Sequence, residues 1–133
     1  MKNHNSLEKR QLPRLLCDDN FSFCRLNYSD DSYILQSINY HHQGIGLFCS
    51  DRLPIDEKCT INFFYKNDSA NIEISELPCI VLRRHETDAG NQYGIEFRLD
   101  NIKPEMLAQL MKVEHYLLLQ QNDSDDRYGI FSL

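Results

Sequence analysis

The sequence predicts an all-β fold with a C-terminal helix: an antiparallel barrel of six or seven strands, capped by one α-helix. Two features carry this expectation. From Phe21 to Leu99 the chain reads as short segments in which apolar and polar residues alternate, rich in aromatic and β-branched side chains. Such a period of two marks a strand with one buried face. After Leu99 the apolar spacing changes to that of a helix.

Taken in order, residues 1–18 read as an N-terminal arm, because Pro13 argues against a continuous helix ahead of the first strand. The strand segments are 21–26, 32–38, 44–49, 59–65, 71–75, 79–83 and 92–99. Turn formers separate them: Ser29-Asp-Asp31, Gln43-Gly44, Asn67-Asp-Ser69 and Asp88-Ala-Gly-Asn91. These intervals are too short for crossover helices, so the strands must run antiparallel. A closed barrel has the further advantage of removing exposed sheet edges.

The helix is expected over about 104–121. Pro104 suits its first turn, Glu105 complements the dipole there, and Leu107, Leu110, Met111, Leu117 and Leu118 form an apolar stripe. That stripe has to cover an open end or face of the barrel. The barrel with its helix thus occupies residues 19–121, and 122–133 are left as an acidic linker, Asn122-Asp-Ser-Asp-Asp126, followed by an apolar tail.

Composition narrows the function classes. Apolar residues at 41% and charged residues at 26% are those of an ordinary globular domain. No apolar run is long enough to cross a bilayer, and residues 1–10 lack the apolar core of a secretory signal, which predicts a cytoplasmic protein. Five cysteines with no C-x-x-C spacing suggest neither a disulfide framework nor a zinc knuckle. They read as reduced, mostly buried small hydrophobes. A formal charge of −6 disfavours DNA or RNA as a partner. A small anion held by a local arginine cluster stays compatible with it, because screening confines a charge's reach to about 10 Å.

Two places have the chemistry for such a grip. Arg10 and Arg14 lie in Glu8-Lys-Arg-Gln-Leu-Pro-Arg14, on an arm able to wrap a ligand. A guanidinium bonds phosphate oxygens or the O6/N7 edge of guanine through a planar fork, and its face stacks on a base. With eight arginines in the chain, one pair at this spacing also arises readily by chance. The second place is Asn39-Tyr-His-His-Gln-Gly44, which ends in Gly44-Ile-Gly46, where backbone can approach a ligand closely; an ordinary hairpin turn reads the same.

Other candidates are weaker. His41 and His42, with Cys49 or His85, have metal-ligating chemistry, but neighbouring strand residues point to opposite faces, so no metal site is expected. No nucleophile and base constellation and no paired carboxylates can be assembled, so no catalysis is expected. Arg83-Arg84-His85 reads as a solvated hairpin end and carries no ligand role. Phe63-Phe64-Tyr65-Lys66 has the composition of a base-stacking platform, which makes a single-stranded nucleic-acid barrel the alternative from another class. Packing of Phe63 inside the barrel is the simpler account.

The combination of an Arg10-x-x-x-Arg14 arm, about twenty-five residues carrying one hairpin, and Asn39-x-His41-x-x-Gly44 opening a strand resembles the PilZ domain, whose second motif is (D/N)-x-S-x-x-G. Gln92-Tyr-Gly-Ile-Glu-Phe97 looks like that family's late strand, and the closing helix also fits. The resemblance covers about residues 8–120. It implies a barrel that binds cyclic di-GMP on its outer surface, with Arg10 and Arg14 meeting phosphates and guanine edges and Asn39 reading a guanine. Gly44 would leave room at the turn, and Lys9 would meet a second nucleotide if an intercalated dimer binds. By the same resemblance the partner is an effector protein of motility, exopolysaccharide or virulence machinery. One departure stands out: His41 replaces the family's serine. Imidazole can donate to phosphate, yet its bulk can also block the ligand, so a degenerate interaction adaptor that binds no nucleotide is the runner-up.

Overall fold

A computed structural model describes the backbone of residues 15–16 and 21–128, and the side chains of residues 21 and 24–121. Its strands are β1 (Leu15–Leu16), β2 (Phe21–Tyr28), β3 (Asp31–Ile34), β4 (Gln36–His41), β5 (Gly44–Cys49), β6 (Lys58–Lys66), β7 (Asn71–Thr87) and β8 (Gly90–Phe97), followed by helix α1 (Pro104–Tyr128). All pair antiparallel in one sheet of order β1-β4-β5-β8-β7-β6-β2-β3. Setting aside the two-residue β1, this is a seven-stranded antiparallel sheet curled into a half-barrel with a C-terminal helix, in line with the expected six- or seven-stranded barrel capped by a helix.

Curling follows from how two long strands are shared. The segment predicted as one strand over 32–38 bends at Leu35, whose N–H donates to the Cys24 carbonyl (3.0 Å). Its first part, β3, pairs with β2, and its second part, β4, pairs with β5. These partners lie toward opposite ends of the sheet order, so a single residue of chain joins the two ends and the sheet has to wrap. Aromatic rings fill the seam: Phe21 of β2 lies 5.7 Å from Tyr40 of β4, centroid to centroid.

The segments expected as separate strands at 71–75 and 79–83 form one strand, β7. Residues 71–80 pair with β6 and 79–87 pair with β8. Within the part paired with β6 the register shifts between Ile74 and Leu77, where Glu76 adopts φ 56° and kinks the chain. The Asn62 side-chain oxygen accepts the Glu76 N–H (3.2 Å) and supports the kink. Pro78 is tolerated next to this irregularity, where the ladder changes partner, and its carbonyl accepts the Arg98 N–H (2.8 Å).

The inner face holds Leu26, Tyr40, Ile45, Leu47, Ile61, Phe63, Tyr65, Ile74, Leu77 and Val81, all fully buried. Each contributes about 1.5–3 kcal/mol by leaving water. Tyr40 and Phe97 flank Phe63 at 5.9 and 6.2 Å, one edge-on and one stacked. Two of the three aromatics in Phe63-Phe64-Tyr65 therefore belong to the core, which leaves only Phe64 of that run for a stacking platform.

Helix α1 covers the sheet with Leu110, Val113 and Leu117 buried and Met106 and Tyr116 partly so. This differs from the expected stripe, for Met111 and Leu118 are exposed. The sequence offers two neighbouring apolar faces. The 106/110/113/117 face wins because Tyr40 donates its hydroxyl proton to the Leu110 carbonyl (2.8 Å) and Tyr65 stacks on Tyr116 (6.1 Å). The helix also runs through 122–126, where its end was expected. Asn and Asp only weaken a helix, and the first glycine or proline after Pro104 is Gly129.

Candidate functional site

Strand alternation fixes what the outer face presents. Because Tyr40 points inward on β4, Asn39 and His41 face out. Ile45 and Leu47 point inward on β5, which turns Gly44 and Gly46 outward, and Tyr93 and Ile95 do the same for Gly94 on β8. A bulge between Val81 and Arg83 on β7 brings Arg83 opposite Gly94. Across four strands the register runs Asn39↔Gly46, Gly46↔Gly94 and Gly94↔Arg83. The outer surface therefore carries a row with polar or charged side chains at its ends and a floor of two glycines.

The glycines have distinct reasons to be there. A Cβ on Gly46 would stand 2.5 Å from the Asn39 side-chain oxygen, so the missing methyl is what lets that carboxamide lie across β5. A Cβ on Gly44 would meet the Ile95 backbone carbonyl at 2.6 Å. The expected role of Gly44 was to leave room at the turn; here its bareness serves the close approach of β5 and β8.

Two shallow hollows flank this row. One of about 200 Å³ is lined by Asn39, Gly46, Arg83, His85, Gln92 and Gly94, among others. The other, of about 130 Å³, is lined by His41, Gln43, Gly44, Arg83, Gly94 and Glu96, among others. Arg83 and Gly94 belong to both. A separate hollow of about 220 Å³, bordered by Cys59, Pro78, Cys79, Arg98 and Ile102, contains none of the residues singled out in the sequence.

The hairpin between β4 and β5 is fixed on both sides. The Gln43 N–H donates to His41 Nδ1 (3.1 Å), so in the neutral ring the proton sits on Nε2, which is then a donor. His42 turns to the helix instead, with Nδ1 3.1 Å from one Glu114 carboxylate oxygen and its backbone N–H donating to the other at 3.3 Å. The adjacent histidines thus serve different partners, and among the described residues no group of three His, Cys, Asp or Glu side chains can hold a metal ion.

Cys24, Cys49, Cys59 and Cys79 are buried free thiols, as expected of small hydrophobes. Burial pushes the Cys24 pKa up to about 12, and burial likewise raises Cys79, Cys49 and Cys59. A thiol held protonated is a poor nucleophile.

Of the residues expected to form the grip, the structure brings together Asn39, His41 and Gly44 on one outer edge; Lys9, Arg10 and Arg14 lie outside the described residues, and of the arm only Leu15 and Leu16 are described, as β1 paired with Tyr40 and Asn39 of β4. Arg83 borders both hollows, although the sequence reads it as part of a solvated hairpin end with no ligand role. It stands not at a hairpin end but four residues inside β7, which runs on to Thr87. Its placement opposite Gly94 depends on a bulge, which leaves no mark in the period-two pattern.

An antiparallel curled sheet of this order, with its helix, is a PilZ-like fold. Among solved structures, the chain is similar to YcgR from Escherichia coli in complex with c-di-GMP: TM-score 0.72, 14% identity, 90% of this chain and 50% of that one. It is similar to the PilZ domain of YcgR with c-di-GMP (TM-score 0.63, 12% identity), covering 89% of this chain and 98% of that one. The Bacillus subtilis inhibitor of motility MotI gives a TM-score of 0.64 at 14% identity, over 86% of this chain and 53% of that one. The chain thus spans about half the length of YcgR and MotI. No family model and no curated protein matches the sequence. Among the described residues no helix is long and apolar enough to cross a membrane.

Proposed function

We propose that this protein is a non-enzymatic cytoplasmic receptor for cyclic di-GMP, which binds across the outer edge formed by Asn39, His41 and Gly44 and is gripped from the other side by Arg10 and Arg14. The observation that carries this reading is the row of Asn39, Gly46 and Gly94, a polar reader beside a bare floor on the outer face of a PilZ-like sheet. Two of the similar solved structures, YcgR and its PilZ domain, are complexes with c-di-GMP.

Each residue has a role that its chemistry suits. Arg10 and Arg14 pair with phosphates and guanine edges by bidentate bonds. The Asn39 carboxamide supplies both a donor and an acceptor to a guanine. His41 occupies the position where the resemblance has serine, and its Nε2–H is a donor as a hydroxyl would be. Lys9 meets the outer nucleotide where two ligands intercalate. Arginine and phosphate contacts order the arm, and the ordered arm is the surface that an effector protein reads.

Calorimetric titration with cyclic di-GMP tests this, with wild type, Arg14→Ala and His41→Ser. Wild type is expected to bind at micromolar or better, and loss of one bidentate arginine is expected to weaken binding at least tenfold. No heat from wild type at tens of micromolar protein would abandon the receptor and leave the adaptor that binds no nucleotide. A His41→Ser variant weaker than wild type marks the imidazole as a working contact; a much tighter one marks it as an impairment.

A further inference from the structure

A third arginine, Arg83, borders both hollows of the same site. We propose that the Arg83 guanidinium is a stacking platform for a base of the bound nucleotide, laid flat on the Gly94 backbone between the two hollows. The proposal rests on the receptor reading above and adds to it a binding residue, together with the part of the ligand that this residue takes.

The distances define the orientation. A Cβ built on Gly94 would stand 3.1 Å from Arg83 Cζ and 3.4 Å from both Nε and Nη1. A point directly above the central carbon of a planar group, with carbon–nitrogen bonds of about 1.3 Å, lies about 3.4 Å from each nitrogen. The guanidinium plane therefore lies face-on to Gly94, and any side chain there would lift it. Arg83 is exposed, so its opposite face is turned to solvent. No ion pair engages Arg83 among the described residues, whereas Arg52 and Arg84 both reach Glu86 (3.1 and 3.7 Å).

A base suits this surface better than a phosphate does. A guanidinium face stacks on a planar ring, while phosphate is bound by the in-plane N–H fork. The one carboxylate that borders either hollow is Glu96, which would repel a phosphate but accepts from the N1–H and N2–H₂ donors of guanine. Asn39, on the far side of the glycine floor, has donor and acceptor for the remaining edge.

Titrations of wild type, Arg83→Ala and Arg83→Lys with cyclic di-GMP, each with a thermal melt, decide this. Arg83→Ala is expected to weaken binding about tenfold with an unchanged melting midpoint, because the side chain is exposed and makes no ion pair. Arg83→Lys keeps the charge and loses the plane, so it is expected to bind as weakly as the alanine variant. Wild-type affinity in Arg83→Ala overturns the platform while the receptor stands. Wild-type affinity in Arg83→Lys overturns it too, since charge alone then suffices. A wild type that gives no heat fails the receptor reading, and the platform with it.

Discussion

The inner and outer faces of β4, β5 and β8 sit one residue apart along each strand, yet they are built on opposite rules. Inside, Tyr40, Ile45, Leu47, Tyr93 and Ile95 supply bulk to the core. Outside, the same strands carry Asn39, Gly46 and Gly94, where the absence of side chains forms the floor. Because a strand sends alternate residues to opposite faces, packing and recognition are separable on one backbone. Inner changes should register in stability and outer ones in binding.

The largest break in this contrast is Phe63→Ala. It removes a fully buried ring from between Tyr40 and Phe97 and is expected to cost about 3–5 kcal/mol in urea unfolding. A loss below about 1 kcal/mol would mean that the core is not packed as described.

Gly44→Ala and Gly46→Ala sharpen the contrast within one strand. The first drives a methyl into the Ile95 backbone carbonyl, which cannot step aside, and is expected to cost about 1–3 kcal/mol. The second meets only the end of the Asn39 side chain. It is expected to cost less than about 1 kcal/mol in stability and to weaken cyclic di-GMP binding about tenfold by displacing the carboxamide. Melts and titrations of both variants check this, and a reversed order of stability would break the assignment of roles.

Tyr40→Phe removes the hydroxyl that donates to the Leu110 carbonyl while keeping the ring. About 1 kcal/mol is expected in urea unfolding. No measurable change would mean that this bond does not hold the helix to β4.

The smallest effect concerns the inner thiols. Folding keeps Cys24 protonated, so its contribution to stability is complete below the ordinary thiol pKa of 9.0 and is lost as pH rises toward about 12. At pH 8 iodoacetamide is expected to leave Cys24 and Cys79 unlabelled in the folded protein, and to label both in urea, as read by peptide mass mapping. Rapid labelling of Cys24 without denaturant would contradict its burial.

How much of this was legible in advance differs by element. Ile45 and Leu47, or Tyr93 and Ile95, announce their strands by alternation alone, whereas Asn39 and His41 stand out only through the resemblance that their motif and the arginine pair carry together. The merger of 71–75 with 79–83 was hidden because Pro78 reads as a break, whereas the kink at Glu76 and the change of partner absorb it. Arg83 was hidden because its neighbour across the sheet, Gly94, lies eleven positions later in the chain and meets it only through a bulge.

By itself the sequence determined the class of fold, its antiparallel strands, its terminal helix and the candidate edge at Asn39 to Gly44, because periodicity, turn chemistry and motif spacing are local properties. Tertiary structure alone decided how the sheet wraps at Leu35, which of two apolar faces the helix turns inward, and which residues share the row from Asn39 to Arg83. Those outcomes depend on register between distant strands, and register is set by pairing and bulges that no short stretch of sequence contains.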